Sequence, residues 1–317
     1  MIKTWMIFAI AIAIAILTWI LYTAYSPISI DKLKDLNRKE QYTKVIDYVS
    51  DYLNENDNTG YEYFLERGYS YYKLREYSRA LEDYAIVLEI DSQNVEALLY
   101  RGRTFKEIGI FDSSLFYLNK VLKVNQNSAM LYKDIAKVYY LMRNFDAALI
   151  SINKAIEIDS TQLESYWVRA STNLNLGDWD NAVRDYNLFL QSDSSDYKKF
   201  LNRGYCYNKQ GLYKEALTDY KMALTMNDTF TTAMVNIGEI YRKTNELKKA
   251  EEYFLMSIET DTSYNEAYHS LAYLYFILKD DTLELKNLLN FVKFADPLDS
   301  RIDSIQTRID EIKVNNE

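Results

Sequence analysis

Residues 197–230 read YKKFLNRGYCYNKQGLYKEALTDYKMALTMNDTF. Phe200, Gly204 and Tyr207 fall at helical spacing and predict one face of a first helix. Gly211 follows, a residue able to take the left-handed conformation that ends many helices. Tyr213, Ala216, Tyr220 and Ala223 then form the apolar stripe of a second helix. The small Gly204 and Ala216 let two helix backbones approach closely, with aromatic side chains filling the space beside them. Neither helix buries its stripe alone, so the unit has to stack on neighbours of its own kind.

Such neighbours are present. From Tyr61 to about Asp299 the chain repeats in lines of 34 residues. The eighth column reads Gly68, Gly102, Ala136, Ala170, Gly204, Gly238 and Ala272. The twentieth reads Ala80, Ser114, Ala148, Ala182, Ala216 and Ala250, and the twenty-fourth Tyr84, Leu118, Ile152, Tyr186, Tyr220 and Phe254. A fixed period with small residues at two columns is the signature of a helix–turn–helix array. The pattern resembles the tetratricopeptide repeat (TPR) family over about three quarters of the chain. The resemblance implies an all-α solenoid, a right-handed superhelix of helical hairpins, with seven repeats at 61–94, 95–128, 129–162, 163–196, 197–230, 231–264 and 265–299. The last line reads as carrying one extra residue around Lys279 to Thr282, which places Leu285, Leu289 and Val292 in the core columns. Ser92, Ser160, Ser194 and Thr262 stand where the family closes its repeat with proline, and their hydroxyls are expected to cap the next helix.

Two prolines and eight glycines among 317 residues suit a nearly all-helical chain. The 30 tyrosines recur at columns 4, 11, 17 and 24 and read mainly as packing residues. A formal net charge of −9 argues against general nucleic-acid binding. The single cysteine, Cys206, excludes an intrachain disulfide framework and falls in a column of small or apolar packing residues.

Residues 1–4 form a short tail before an apolar run, 5–25, about the length a helix needs to cross a bilayer. Its isoleucines, leucines and Phe8 predict an insertion free energy of about −3 to −5 kcal/mol. Trp5 lies near one end and Trp19, Tyr22 and Tyr25 near the other, where interfacial aromatics belong. The run exceeds a signal-peptide core and lacks a small-residue cleavage site, so the expectation is an uncleaved transmembrane signal anchor and a single-pass membrane protein. Lys32, Lys34, Arg38 and Lys39 after the run, against Lys3 before it, lean towards repeats on the cytoplasmic face. Residues 26–60 read as a degenerate repeat and connector. Ile302, Ile305, Ile309 and Ile312 make one narrow stripe and predict a capping helix within 300–317.

No phosphate-binding glycine loop, zinc-ligand spacing or nucleophile elbow occurs, so no catalytic site, cofactor, metal or small-molecule substrate is expected. His269 has no second histidine with which to share a metal, and the acidic Asp280, Asp281 and Glu284 read as a solvated turn. What remains is a surface. The resemblance implies a concave face lined by columns 2, 5, 9, 12 and 13 of the first helices. Those positions carry nine basic and six acidic side chains, a net +3 in a chain of −9, together with aromatics. The candidate groove residues are Tyr69, Tyr72, Arg103, Lys106, Lys133, Lys137, Tyr140, Trp167, Lys198, Tyr205, Lys209, Arg242, His269 and Tyr273. Trp167, with lysines in the lines before and after it, is the expected hot spot. A carboxylate clamp of the chaperone-binding members is not expected: Lys133 and Lys198 match it, while Lys137, Val168 and Asn202 do not.

The expectation is therefore a non-enzymatic, membrane-anchored scaffold that binds an acidic or carboxylate-bearing protein segment in its groove. A self-assembling structural protein forming homo-oligomers is the alternative. One pattern predicts specific contacts. Arg67, Arg101, Arg169 and Arg203 occupy the normally apolar column 7, and in three of those lines column 23 holds Asp83, Asp185 or Asp219. Where column 7 is Ile135 or Ile237, column 23 is Ser151 or Tyr253. This covariation predicts the ion pairs Arg67–Asp83, Arg169–Asp185 and Arg203–Asp219.

Overall fold

The computed structural model describes residues 29–55, 60–192 and 196–315. Among them are seventeen α-helices and no strand. Helices α1 (Ile30–Arg38) and α2 (Tyr42–Glu55) come first. The first helices of the 34-residue lines are α3 (Tyr61–Lys73), α5 (Val95–Glu107), α7 (Ala129–Leu141), α9 (Leu163–Leu176), α11 (Tyr197–Lys209), α13 (Thr231–Lys243) and α15 (Asn265–Leu278). The second helices are α4 (Tyr77–Ile90), α6 (Phe111–Val124), α8 (Phe145–Ile158), α10 (Trp179–Ser192), α12 (Tyr213–Met226), α14 (Leu247–Thr260) and α16 (Asp281–Phe294). Helix α17 (Ile302–Asn315) ends the described chain. The described residues fall into two compact units, divided between Met142 and Arg143.

Within each hairpin the small residue of column 8 faces the large residue of column 24. A methyl group at Gly204 would lie 2.8 Å from the Tyr220 ring, and one at Gly238 would lie 2.5 Å from Phe254. Tyr84, Tyr186, Tyr220 and Phe254 are fully buried by this arrangement. The turn between the helices is equally regular. Column 15 is left-handed in every line, at Arg75, Gly109, Arg143, Gly177, Gly211, Asn245 and Lys279.

That regularity corrects the reading of the last repeat. Lys279 is left-handed and α16 begins at Asp281, both in the columns the other lines use, so no extra residue is present. The core columns hold Leu288 and Phe291, whereas Leu289 is exposed and Leu285 and Val292 pack only partly buried. Glu284 consequently stands at column 20, where the other lines have alanine or serine, and it is buried. Its carboxylate is satisfied by Arg308 of α17, whose Nε and Nη2 donate at 2.8 and 3.0 Å. Ile305, Ile309 and Ile312 of the same helix pack against Tyr268, Ala272, Leu288 and Phe291.

The helix caps also differ from expectation. Column 34 supplies them: Asn94, Ser128 and Asp196 accept from the backbone N–H groups of Ala97, Leu131 and Lys198. Ser92, Ser160 and Thr262 stand two residues too early to reach those groups, and Ser194 lies outside the described residues. Instead column 31 organises the turn between lines, with Asp159 and Asp261 accepting from the N–H groups of Thr161 and Ser263 at 2.9 Å.

The single-pass membrane assignment is not upheld. Among the described residues no helix is long and apolar enough to cross a membrane, and the expected span, 5–25, lies outside them.

All three predicted ion pairs form, each with two parallel hydrogen bonds. Arg67 reaches Asp83 at 2.9 and 2.7 Å, Arg169 reaches Asp185 at 2.7 and 2.8 Å, and Arg203 reaches Asp219 at 2.8 and 2.6 Å. The spare Nη1 of each arginine donates backward to the preceding second helix, to Ser50, Asn153 and Asn187 respectively. One side chain thus ties three helices together. Arg101 lacks both partners, since Tyr117 and Ala85 occupy the two columns. Its guanidinium lies 4.9 Å from the centre of the Tyr117 ring instead, a cation–π contact.

Asp219 is 3% exposed. Asp219→Ala is expected to cost about 3 kcal/mol by leaving a half-buried guanidinium unpaired, and Arg203→Leu/Asp219→Leu is expected to recover most of it. Urea unfolding followed by circular dichroism measures both; a double variant as unstable as the single one contradicts the argument. Gly238→Ala is expected to cost about 1–3 kcal/mol from overpacking against Phe254, despite alanine's higher helix propensity. An unchanged or raised melting temperature would show that the column 8 contact is slack.

Candidate functional site

The expected groove residues fall in both units. In the first unit, Tyr69, Tyr72, Arg103 and Lys106 gather on α3 and α5 around a residue the sequence reading passed over, Tyr100. Its ring lies 5.1 Å from that of Tyr69 and 5.8 Å from that of Tyr72, and Arg103 stacks on it at 5.5 Å. Burial pushes the Tyr72 and Tyr100 hydroxyls up to about 12, so both remain neutral and serve packing. Arg103 is not a free cation: its Nε donates to the buried Asp134 of α7 at 2.7 Å. Lys106 pairs with Glu107 at 2.7 Å. Lys133, Lys137 and Tyr140 lie on α7, half-buried, each with a partner of its own.

Beside this cluster sits a buried carboxyl. Glu66 of α3 accepts from the Asn37 side-chain amide at 2.8 Å, and Ser70 donates to Asn37 Oδ1 at 2.7 Å. Burial raises the Glu66 carboxyl above its ordinary value against the opposing Asn37 hydrogen bond. The network fastens α1 to α3, and it occupies one wall of a hollow whose other walls include Tyr69, Tyr100 and Glu96.

In the second unit, Trp167 of α9 is half-buried and packs against Ala170, Ala182, Tyr186 and Cys206. Its indole therefore carries a packing duty that the column pattern did not anticipate. Cys206 is fully buried and burial pushes its thiol up to about 12, an unreactive state. Lys198 and Lys209 are exposed, and Lys209 lies 5.2 Å from the Tyr205 ring centre. Tyr205 in turn meets Trp179 edge-on at 6.0 Å. Arg242 pairs with Glu239 at 2.7 Å and stacks on Tyr273 at 4.7 Å.

The far end of this unit has the most open site. Tyr273 and Phe276 of α15 stack on each other at 6.1 Å, yet they are 47% and 50% exposed. They rim a cavity of about 240 Å³ whose floor is Ala272, Leu288 and Ile305 and whose wall includes His269. Helix α17 completes it, holding Arg308 against Phe276 at 5.3 Å. Burial first and the Arg301 guanidinium second lower the His269 pKa, so its imidazole stays neutral. Two residues of the acidic turn are engaged: Asp280 caps α16 through the Leu283 N–H, and Glu284 binds Arg308. The arrangement offers apolar contact, ring faces and exposed lysines, a chemistry of binding.

Models of the tetratricopeptide repeat family match residues 65–112, 131–162, 197–230 and 231–264. No curated protein matches the chain. Among solved structures, human IFIT1, as a dimer with m7Gppp-AAAA, is similar at TM-score 0.59 and 18% identity, over 86% of this chain and 68% of that one. A tetratricopeptide repeat protein from Parabacteroides merdae matches at TM-score 0.56 and 17% identity, covering 77% and 96%. YrrB, a TPR protein with an unusual peptide-binding site, matches at TM-score 0.53 and 17% identity, covering 60% and 98%. Likeness at these identities concerns the fold. The repeat spacing, the helical hairpins and the family matches agree: residues 65–112, 131–162 and 197–264 carry tetratricopeptide repeats, and every described element is α-helical.

Proposed function

We propose that this repeat protein is a protein–protein interaction scaffold and that the inner face of its first helices holds a segment of a partner protein. The exposed Tyr273–Phe276 pair over an apolar cavity carries this reading, because about half of each ring's surface stays open to solvent beside a hollow even with their own stacking partners in place. Exposed aromatics beside a concavity are the usual anchors of a binding energy concentrated in few residues. Tyr205, with Lys209 beside it, and the half-buried Trp167 extend the face along the same unit, and within the first unit Tyr69, Lys133, Lys137 and Tyr140 stand in the corresponding columns. The segment is acidic or carboxylate-bearing: Lys198 and Lys209 are exposed cations that would steer it. Arg103, Lys106 and Arg242 contribute less than their charge suggests, being paired within the protein.

A second reading, self-assembly, draws on the opposite side of the second unit. Leu188, Met222 and Met256 occupy column 26 of three successive lines and are 41%, 45% and 43% exposed. Such a row would suit contact between copies.

A photo-crosslinking amino acid at position 273, with position 222 as the comparison, separates the two. Position 273 is expected to capture a heterologous protein in cells, and Tyr273→Ala/Phe276→Ala is expected to lose that partner with its melting temperature unchanged. Crosslinks from 222 to further copies of the chain, together with a stable oligomer in sedimentation, would favour self-assembly. Partner capture unaffected by the double variant would place the site elsewhere.

A further inference from the structure

Lys209 and Lys243 are the last residues of α11 and α13, two successive first helices, and both stand in column 13. Both are exposed, and among the described residues neither has a carboxylate within ion-pairing distance. Lys243 Nζ donates to Asn208 Oδ1 at 3.0 Å, one residue from Lys209 in the chain. Partial burial lowers the Lys243 pKa; Glu239 opposes this, and the charges of Lys209 and Arg242 reinforce it. Three cations thus share one acidic neighbour, Glu239, whose carboxylate is already taken by Arg242 Nε and Nη2 at 3.1 and 2.7 Å. Helix α11 has no acidic residue of its own. A carboxylate brought between the two lysines from outside would relieve their repulsion.

The same rim runs on into the apolar cavity. Arg242 stacks on Tyr273 and Tyr273 on Phe276, so contact is continuous from α13 to α15. Helix α17 then completes the cavity, adding Ser304 and Ile305 to a lining that includes Ala272 and Leu288. The charged groups of that lining, Glu284 and Arg308, are spent on each other, which leaves a hollow suited to an apolar side chain. Ser304 is the small, exposed member of the lining.

From the unspent lysine pair and the apolar cavity along one rim, we infer that the partner segment is held at two points, with an Asp or Glu side chain between Lys209 and Lys243 and one apolar side chain in the cavity that α17 completes. This rests on the inner-face reading above and narrows it to a chemistry and a spacing. Packed helices lie about 8–10 Å apart, so the two points are about 16–20 Å apart, a distance an extended chain covers in about five or six residues. Helix α17 is then a specificity element as well as a cap, because Ser304 and Ile305 set the size of the apolar subsite.

A library of random dodecapeptides displayed on phage and selected on the full chain tests this. Recovered peptides are expected to share an apolar residue and an Asp or Glu about five or six positions apart. The same peptides, synthesised and measured by fluorescence anisotropy, are expected to weaken about tenfold with Lys209→Gln/Lys243→Gln and about tenfold with Ser304→Tyr, which fills the cavity mouth from an exposed position. Melting temperatures of both variants are expected to be unchanged; if the Ser304 variant is destabilised, the exposed lysine pair still decides. Recovery of no peptide, or of peptides that either variant leaves unaffected, overturns the inference. The inner-face reading is separated by Tyr273→Ala/Phe276→Ala: peptides that this variant weakens while the lysine variant does not would keep that reading and sink the two-point arrangement. Peptides indifferent to all three variants would sink both.

Discussion

The close approach of two helices, set by a small residue facing a large one, governs this chain. At Gly204 and Gly238 there is no room for even a methyl group. That distance places neighbouring residues in register as well. Column 7 precedes column 8 and column 23 precedes column 24, so the contact that seats Tyr220 against Gly204 also brings Arg203 to Asp219. Packing fixes the geometry and the ion pair exploits it. Half-buried charges alone would be weak glue, because desolvation offsets much of their attraction. Held at two-pronged geometry, with a third bond to the previous second helix, they fix the register of one line on the next.

Charge on the inner face follows a different logic. Column counting makes it basic, yet much of that charge is neutralised locally. Arg103 is bound by the buried Asp134, a residue of column 6, and Arg242 by Glu239 of its own helix. What stays open is smaller and more specific: a few exposed lysines, a pair of stacked rings and a cavity finished by α17. On the proposed function, recognition would rest on apolar anchoring, with charge acting mainly at a distance.

Much of this was legible in the residues themselves. Periodicity revealed the hairpins, and covariation between lines located Arg67–Asp83, Arg169–Asp185 and Arg203–Asp219 before any coordinates. The errors share a cause, which is that a column treats each position by its own chemistry. An extra residue in the last line would turn Leu285, Leu289 and Val292 inward, whereas the structure puts Glu284 at the small, buried column. Its partner, Arg308, lies 24 residues further on, in a helix outside the repeat. Trp167 looked idle because the core columns around it were already filled, whereas the cluster around Cys206 has room for it. Tyr100 was missed because column 6 faces the groove only through its neighbours' side chains.

The spacing of the arginine and its carboxylate has a consequence for how such a chain can lengthen or shorten. The partners stand 16 residues apart, about half of one line. Loss of residues 197–230 would remove Arg203 and Asp219 together and leave every remaining hairpin whole. Loss of residues 204–237, equal in length, would keep Arg203 and set it opposite Tyr253. Both products have the same number of helices and turns, but only the second strands a guanidinium. The period sets how much sequence can be exchanged, and the ion pair sets where the cut has to fall.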